Sequence, residues 1–280
     1  MPELIKQFQL LHASITVEAD RADLGQVIAF AIQDASQSLP VMSETTIAVQ
    51  TQKNGYRITQ DGNRFQIGES QWDLAYGLLS LLHKQAFRDV RDPIRVHAAC
   101  ADYHDSRFVV MGGKGAGKTT LMLKLLLTQD GFQVGGDEMV LIDGKGAMPF
   151  PRRFHVKSGY STLFKELRPS IEASPKFMVA PSRWLYGFSP AEAGFQWNID
   201  HKPIKAIYFL TPNHNGQTLV QRCSGLEMLK HIMPLSYLSS SNDQLKIPRL
   251  CRLVDDVASY HLSIGDLDRA VAVIRGHLTR

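Results

Sequence analysis

One short segment constrains this chain more than any other. Residues 112–119 read GGKGAGKT, set between the apolar run 108–111 and a helical pattern at 119–127. The segment satisfies GxxxxGK[ST] at every fixed position, and strand, glycine loop and helix form the context in which that pattern has a physical meaning. Glycines let the backbone turn tightly and aim successive N–H groups inward, making an anion-binding concavity at the positive end of the following helix. Lys118 adds a full positive charge for the outer phosphates of a nucleotide, and the Thr119 hydroxyl is suited to magnesium. The expected nucleotide-binding set is therefore Gly112, Gly113, Lys114, Gly115, Ala116, Gly117, Lys118, Thr119 and Thr120.

A phosphate loop leaves the reaction open, and a second constellation narrows it. Gly136 is followed by Asp137 and Glu138, with apolar residues on each side. That places two adjacent carboxylates at a strand edge, where a parallel sheet would present them beside the phosphates. In this reading one carboxylate holds the metal and the other accepts the proton of an attacking hydroxyl. The duller alternative is a solvated acidic turn.

Composition sets the outer limits. With 280 residues and 44% apolar content the chain can bury a full core, and two modest domains are expected. Thirty-one Lys and Arg against 27 Asp and Glu give a formal charge of +4, spread without a dense run. That suits anionic ligands and argues against a nucleic-acid partner. Cys100, Cys223 and Cys251 lack CxxC spacing, which fits a reducing cytoplasm. The start of the chain carries no signal-like apolar run, and no apolar stretch is long enough to span a bilayer, so no membrane is expected.

Periodicity divides the chain in two. In the first part, 11–18 alternates as a strand and 22–35 has helical spacing through Leu24, Val27, Ile28 and Ile32. Short strands follow at 46–50, 56–59 and 64–67, with Asn54 and Gly55, then Asp61 and Gly62, as turn residues, before a helix at 71–87. A boundary is expected at 89–93, giving an α+β module over 1–90 and a catalytic domain over 91–280. Within the second part, strands are expected at 95–101, 108–111, 132–134, 139–142, 204–210 and 260–264, and helices at 119–127, 226–232, 250–258 and 267–278. Residues 149–194 give no clear pattern. Inside them, Arg183, Trp184, Tyr186 and Phe188 read either as an aromatic cradle or as an ordinary half-buried strand.

The stretch 96–144, from VHAACADYHD through GGKGAGKTT to GGDEMVLIDG, resembles the catalytic domain of HPr kinase/phosphorylase and its kinase-like relatives, within the phosphoenolpyruvate-carboxykinase-type phosphate-loop group. His97, Gly131, Asp137 and Glu138 fall at matching places, and 204–213 and 260–274 resemble the closing strand and helix elements of those relatives. The resemblance implies Asp137 as general base, Lys118 on the phosphates, and Thr119 with Glu138 as magnesium ligands. It implies His97 as a neighbour that tunes the catalytic carboxylate, although a lone strand histidine could equally be a packed core residue. Arg152 and Arg153 lie where relatives carry a basic residue near the nucleotide, and read either as charge stabilisers or as solvated surface. The pair is Asp-Glu where the family has Asp-Asp, and 154–170 reads FHVKSGYSTLFKELRPS where HPr kinases carry a glycine-rich signature, so HPr itself is not the expected substrate.

The resulting expectation is an α/β protein with a phosphate-loop kinase core and a small α+β module in front. ATP with Mg2+ would donate its γ-phosphoryl group to a hydroxyl, on a peptide or protein serine or a small metabolite. A homo-oligomer is allowed. The competing reading is a nucleotide-dependent ATPase or switch that acts on a partner without a phosphorylated product.

Overall fold

A computed structural model describes residues 1–31, 39–90, 93–128, 130–214, 216–237 and 243–279. It is a mixed α/β protein, with four sheets and seven α-helices among the described residues. The chain divides into two compact units, one comprising Met1–Arg91 with Pro151–Ser189 and the other Asp92–Phe150 with Pro190–Arg280. Residues 32–35 of the expected first helix and 91–92 of the expected boundary lie outside the described residues.

In the first unit, five strands pair in sequence order: Leu4–Leu10, Ala13–Ala19, Ser43–Gln52, Gly55–Gln60 and Asn63–Ile67. Ala13–Ala19 alternates strictly, turning Ala13, Ile15, Val17 and Ala19 inward and Ser14, Thr16 and Glu18 outward. That alternation marks a sheet with one buried face. Asp61 and Gly62, at φ 48° and 79°, close the last hairpin with the two left-handed residues that a tight turn requires. The helix Gln71–Ala86 begins in a capping box, Ser70 and Asp73 each satisfying the other's backbone N–H.

Most of the segment that gave no pattern, Pro151–Ser189, belongs to this unit rather than to the expected catalytic domain. Phe154–Lys157, Arg183–Phe188 and Lys176–Ala180 form a three-stranded antiparallel sheet. Phe30, on the helix Gly25–Ala31, stacks on His155 at 4.6 Å and meets Phe177 edge-on at 4.9 Å. A Cβ at Gly187 would stand 2.9 Å from the Phe30 ring, so glycine admits the aromatic side chain. The aromatic stretch is a half-buried strand, with Tyr186 and Phe188 inside and Trp184 more exposed.

The second unit is built on a six-stranded sheet ordered Leu219–Arg222, Ala258–Ile264, Ile204–Pro212, Ser106–Met111, Ala98–Tyr103 and Phe132–Gly136. Three neighbouring strands of that order, Ala258–Ile264, Ile204–Pro212 and Ser106–Met111, run parallel, while the others join antiparallel. Ala98–Tyr103 is buried along its whole length, as expected for a strand covered on both faces. On one face Val109, Met111 and Ile207 pack with Met228 and Ile232 of the helix Gly225–Ile232 and Leu250 and Val254 of the helix Asp243–Asp256. On the other, Tyr208 is fully buried and stacks on Tyr260, which in turn meets His277 of the helix Leu267–Leu278. No helix among the described residues is long and apolar enough to cross a membrane.

Candidate functional site

Ser106–Met111 delivers the chain to the carboxyl edge of the sheet, and the helix Lys118–Thr128 leaves from there. Between them the glycine loop needs glycine at defined positions. Gly115 and Gly117 have φ of 83° and 100°, a region that L side chains avoid. A Cβ at Gly112 would lie 2.8 Å from the backbone oxygen of Leu210, so the loop can rest directly on the neighbouring parallel strand. The first-turn N–H groups of the helix have no partner within it and carry the positive end of its dipole.

Lys118 folds back over the loop. Its Nζ donates to Gly112 O at 2.8 Å, to Gly113 O at 3.4 Å and to His97 Nε2 at 3.1 Å. Burial pushes the ammonium below its ordinary pKa, while Glu138 and Asp137 pull it back. Since Nε2 of His97 accepts from Lys118, the ring proton sits on Nδ1, which donates to Glu138 O at 3.0 Å. The backbone N–H of His97 donates to Leu235 O at 2.8 Å, so the residue interrupts what would otherwise be one strand, leaving Ile94–Val96 and Ala98–Tyr103 on either side.

The carboxylates reach this edge by a route that differs from the expected parallel pairing. Phe132–Gly136 is antiparallel to Ala98–Tyr103, which is itself antiparallel to Ser106–Met111. The acidic pair thus arrives at the same end of the sheet, with one strand interposed. Gly135 and Gly136 are needed there, because a Cβ on either would press on Pro149 at 3.0 and 3.2 Å. Asp137 is 4% exposed and its Oδ2 accepts from the Thr119 hydroxyl at 2.9 Å. Glu138 is more open, its side chain 36% exposed, with Oε1 at 3.7 Å from His97 Nδ1.

The sequence grouped His97, Lys118, Thr119, Asp137 and Glu138, and in the structure they form one connected set. Within that set His97 contacts Lys118 and Glu138. Arg152 and Arg153 fall in the first unit, where Arg152 donates to the ring of His155 and Arg153 to Gly187 O at 3.2 Å. Cys100 lies beneath the acidic strand, and burial pushes its thiol up to about 12, which leaves it protonated and unreactive.

Sequence reasoning missed the ionic group that braces this sheet. Arg107 and Asp102 are both 0% exposed and paired through two contacts, at 2.7 and 3.1 Å. Asp102 also accepts from Asn198 at 2.9 Å and meets Lys202 at 3.0 Å, while Arg107 donates to Ala147 O at 2.7 Å and to Asp200 O. A buried charge survives only when paired and hydrogen-bonded in this way. Its one trace in the sequence is an Asp and an Arg flanking a hairpin in otherwise apolar strands.

Among the described residues no three or more His, Cys, Asp or Glu converge closely enough to hold a metal by themselves. Thr119 and Asp137 offer a hydroxyl and a carboxylate oxygen side by side, a donor set that fits magnesium, which takes few protein ligands and completes its shell with phosphate oxygens and water. Compared with known proteins, the chain matches no family model and no curated protein.

Proposed function

We propose that this protein binds a nucleoside triphosphate with magnesium at residues 112–120 and transfers the γ-phosphoryl group to a hydroxyl. The observation that carries the reading is the gathering of two hydrogen-bonded groups, Thr119 with Asp137 and Lys118 through His97 to the backbone oxygen of Glu138, around a left-handed glycine loop at the carboxyl edge of parallel strands. A chance glycine turn would not gather a lysine, a hydroxyl and two carboxylates at one strand end.

The geometry favours exchanging the roles that the resemblance suggests for the two acids. Asp137 is buried and already accepts the Thr119 hydroxyl, so these two residues would hold magnesium, which supplies charge neutralisation on the phosphates. Glu138 is open to an incoming molecule and would accept the proton of the acceptor hydroxyl as its oxygen attacks the γ-phosphorus. The bond to the β,γ-bridging oxygen then breaks, and the nucleoside diphosphate leaves. Lys118 and the loop amides neutralise the charge gathering on the phosphates, and His97 holds Lys118 across the loop beforehand.

The test measures nucleotide affinity and transfer separately. Lys118→Ala loses both, Asp137→Asn loses magnesium-dependent tightening of nucleotide binding, and Glu138→Gln binds normally yet loses transfer by about a hundredfold or more. Purified wild-type protein with no affinity for any nucleotide in the presence of magnesium would remove the reading altogether. Phosphate released to water with no phosphorylated product would instead favour the switch or ATPase reading.

A further inference from the structure

The same edge of the six-stranded sheet carries a second group of polar side chains that the donor site does not use. In the parallel register Phe209 stands beside Met111, the last residue before the glycine loop. On its other side Phe209 pairs with His261, and Thr211 with Ser263. Thr211 Oγ1 lies 3.3 Å from His261 Nε2 and 3.0 Å from Ser263 Oγ. The ring of His231 stacks on Phe209 with centroids 3.8 Å apart and planes within 14°, and its centroid is 6.1 Å from that of His261.

Two connections tie this group to the donor site. Leu210, next to Thr211, is the residue whose backbone oxygen underlies Gly112. The helix bearing His231 runs on into Met233–Leu235, and Leu235 O is the acceptor for the His97 backbone N–H.

All five side chains are half-buried, neither enclosed in the core nor fully in water. Among the described residues no hydrogen bond engages either ring nitrogen of His231 or Nδ1 of His261. The carboxylate that acts on His231, Glu227, is turned to the backbone N–H and hydroxyl of Ser224. What remains is the ring N–H of His231 and the one donor that the hydrogen-bonded chain of Ser263, Thr211 and His261 does not use internally, on an aromatic floor that fixes one ring in place. Groups held this way bind without a large ordering cost.

We propose that His231, His261, Thr211 and Ser263 hold an oxyanion, a carboxylate or a phosphate monoester, carried by the molecule that accepts the phosphoryl group. The role as acceptor subsite rests on the phosphoryl-transfer reading, whereas oxyanion binding does not. The acceptor class that follows is an anionic hydroxyl compound: a hydroxy acid, a sugar phosphate or a peptide with an acidic residue near its serine.

The test follows the imidazole resonances of His231 and His261 in the full chain, assigned through His231→Gln and His261→Gln. Acetate and inorganic phosphate are titrated separately at constant ionic strength, in wild type and in Lys118→Ala. The proposal expects saturable shifts that survive Lys118→Ala and that weaken about tenfold in Thr211→Val, the effect of losing one hydrogen bond to a charged group. Tighter binding of one probe identifies carboxylate or phosphate, and equal binding supports an oxyanion site that does not discriminate. Absence of saturable shifts with both probes, or their loss in Lys118→Ala, overturns it. Intact shifts in a protein that binds no nucleotide would leave the oxyanion site standing and remove its acceptor role.

Discussion

The five-stranded sheet of the first unit and the six-stranded sheet of the second solve opposite problems. Ala13–Ala19 alternates between an apolar inner face and an outer face of Ser14, Thr16 and Glu18, so its polar side chains stay near water. Ala98–Tyr103 is buried throughout and still contains Asp102, which must therefore be neutralised inside by Arg107 and Lys202, with Asn198 donating a further hydrogen bond. The covered sheet carries the candidate site at its edge, and the internal ionic brace fixes the strands that present it. Covering both faces removes water from the sheet, and a charge kept there has to bring its own partners.

The sharpest way to break this contrast is Arg107→Met. Leaving Asp102 buried without its main partner should cost about 3–5 kcal/mol and abolish nucleotide binding with the fold of the second unit, as read by denaturant unfolding and nucleotide titration. Adding Asp102→Leu should recover most of that loss, because the pair is then replaced by apolar volume. A single Arg107→Met protein of wild-type stability would show that the brace is incidental.

In the open sheet, stability should rest chiefly on packing. Ile15→Ala removes a fully buried side chain and should cost about 3 kcal/mol in denaturant unfolding, with nucleotide affinity of the folded protein unchanged. A smaller effect concerns His155, whose pKa lies well below 6.5, chiefly through burial and then through Arg152 and His83. The unfolded chain binds a proton near pH 6.5 that the folded one refuses, so stability is present above that pH and falls as pH drops below it. The expected slope is about 1 kcal/mol per pH unit. His155→Phe should flatten it, read as melting temperature between pH 7.5 and 5.5. Smallest is Gly62→Ala. Nothing lies within 4 Å of a Cβ there, so the loss of about 1 kcal/mol reflects φ alone.

Legibility followed the same division. Strands whose faces differ in polarity, and helices with an apolar stripe and a cap, could be read locally, as at Ala13–Ala19, Gln71–Ala86 and Leu267–Leu278. Leu4–Leu10 escaped because only Phe8 and Leu10 of that strand turn fully inward. Phe154–Lys157 and Lys176–Ala180 escaped because such short strands are specified by their pairing with Arg183–Phe188 and by Phe30, far away in sequence. The same contacts made the first unit discontinuous, which no boundary signal near residue 90 could announce.

For the site, the glycine loop was determined by its own residues, since the positive φ at Gly115 and Gly117 is a local steric matter. The company it keeps was decided only in three dimensions. An antiparallel detour through Ala98–Tyr103 sets Asp137 on Thr119 and Glu138 beside His97, and the parallel register sets His261 level with Met111 and Thr211 beyond it. Backbone dihedrals answer to single residues, whereas which side chains meet at a sheet edge depends on strand order and register, properties that belong to the pairing of distant segments.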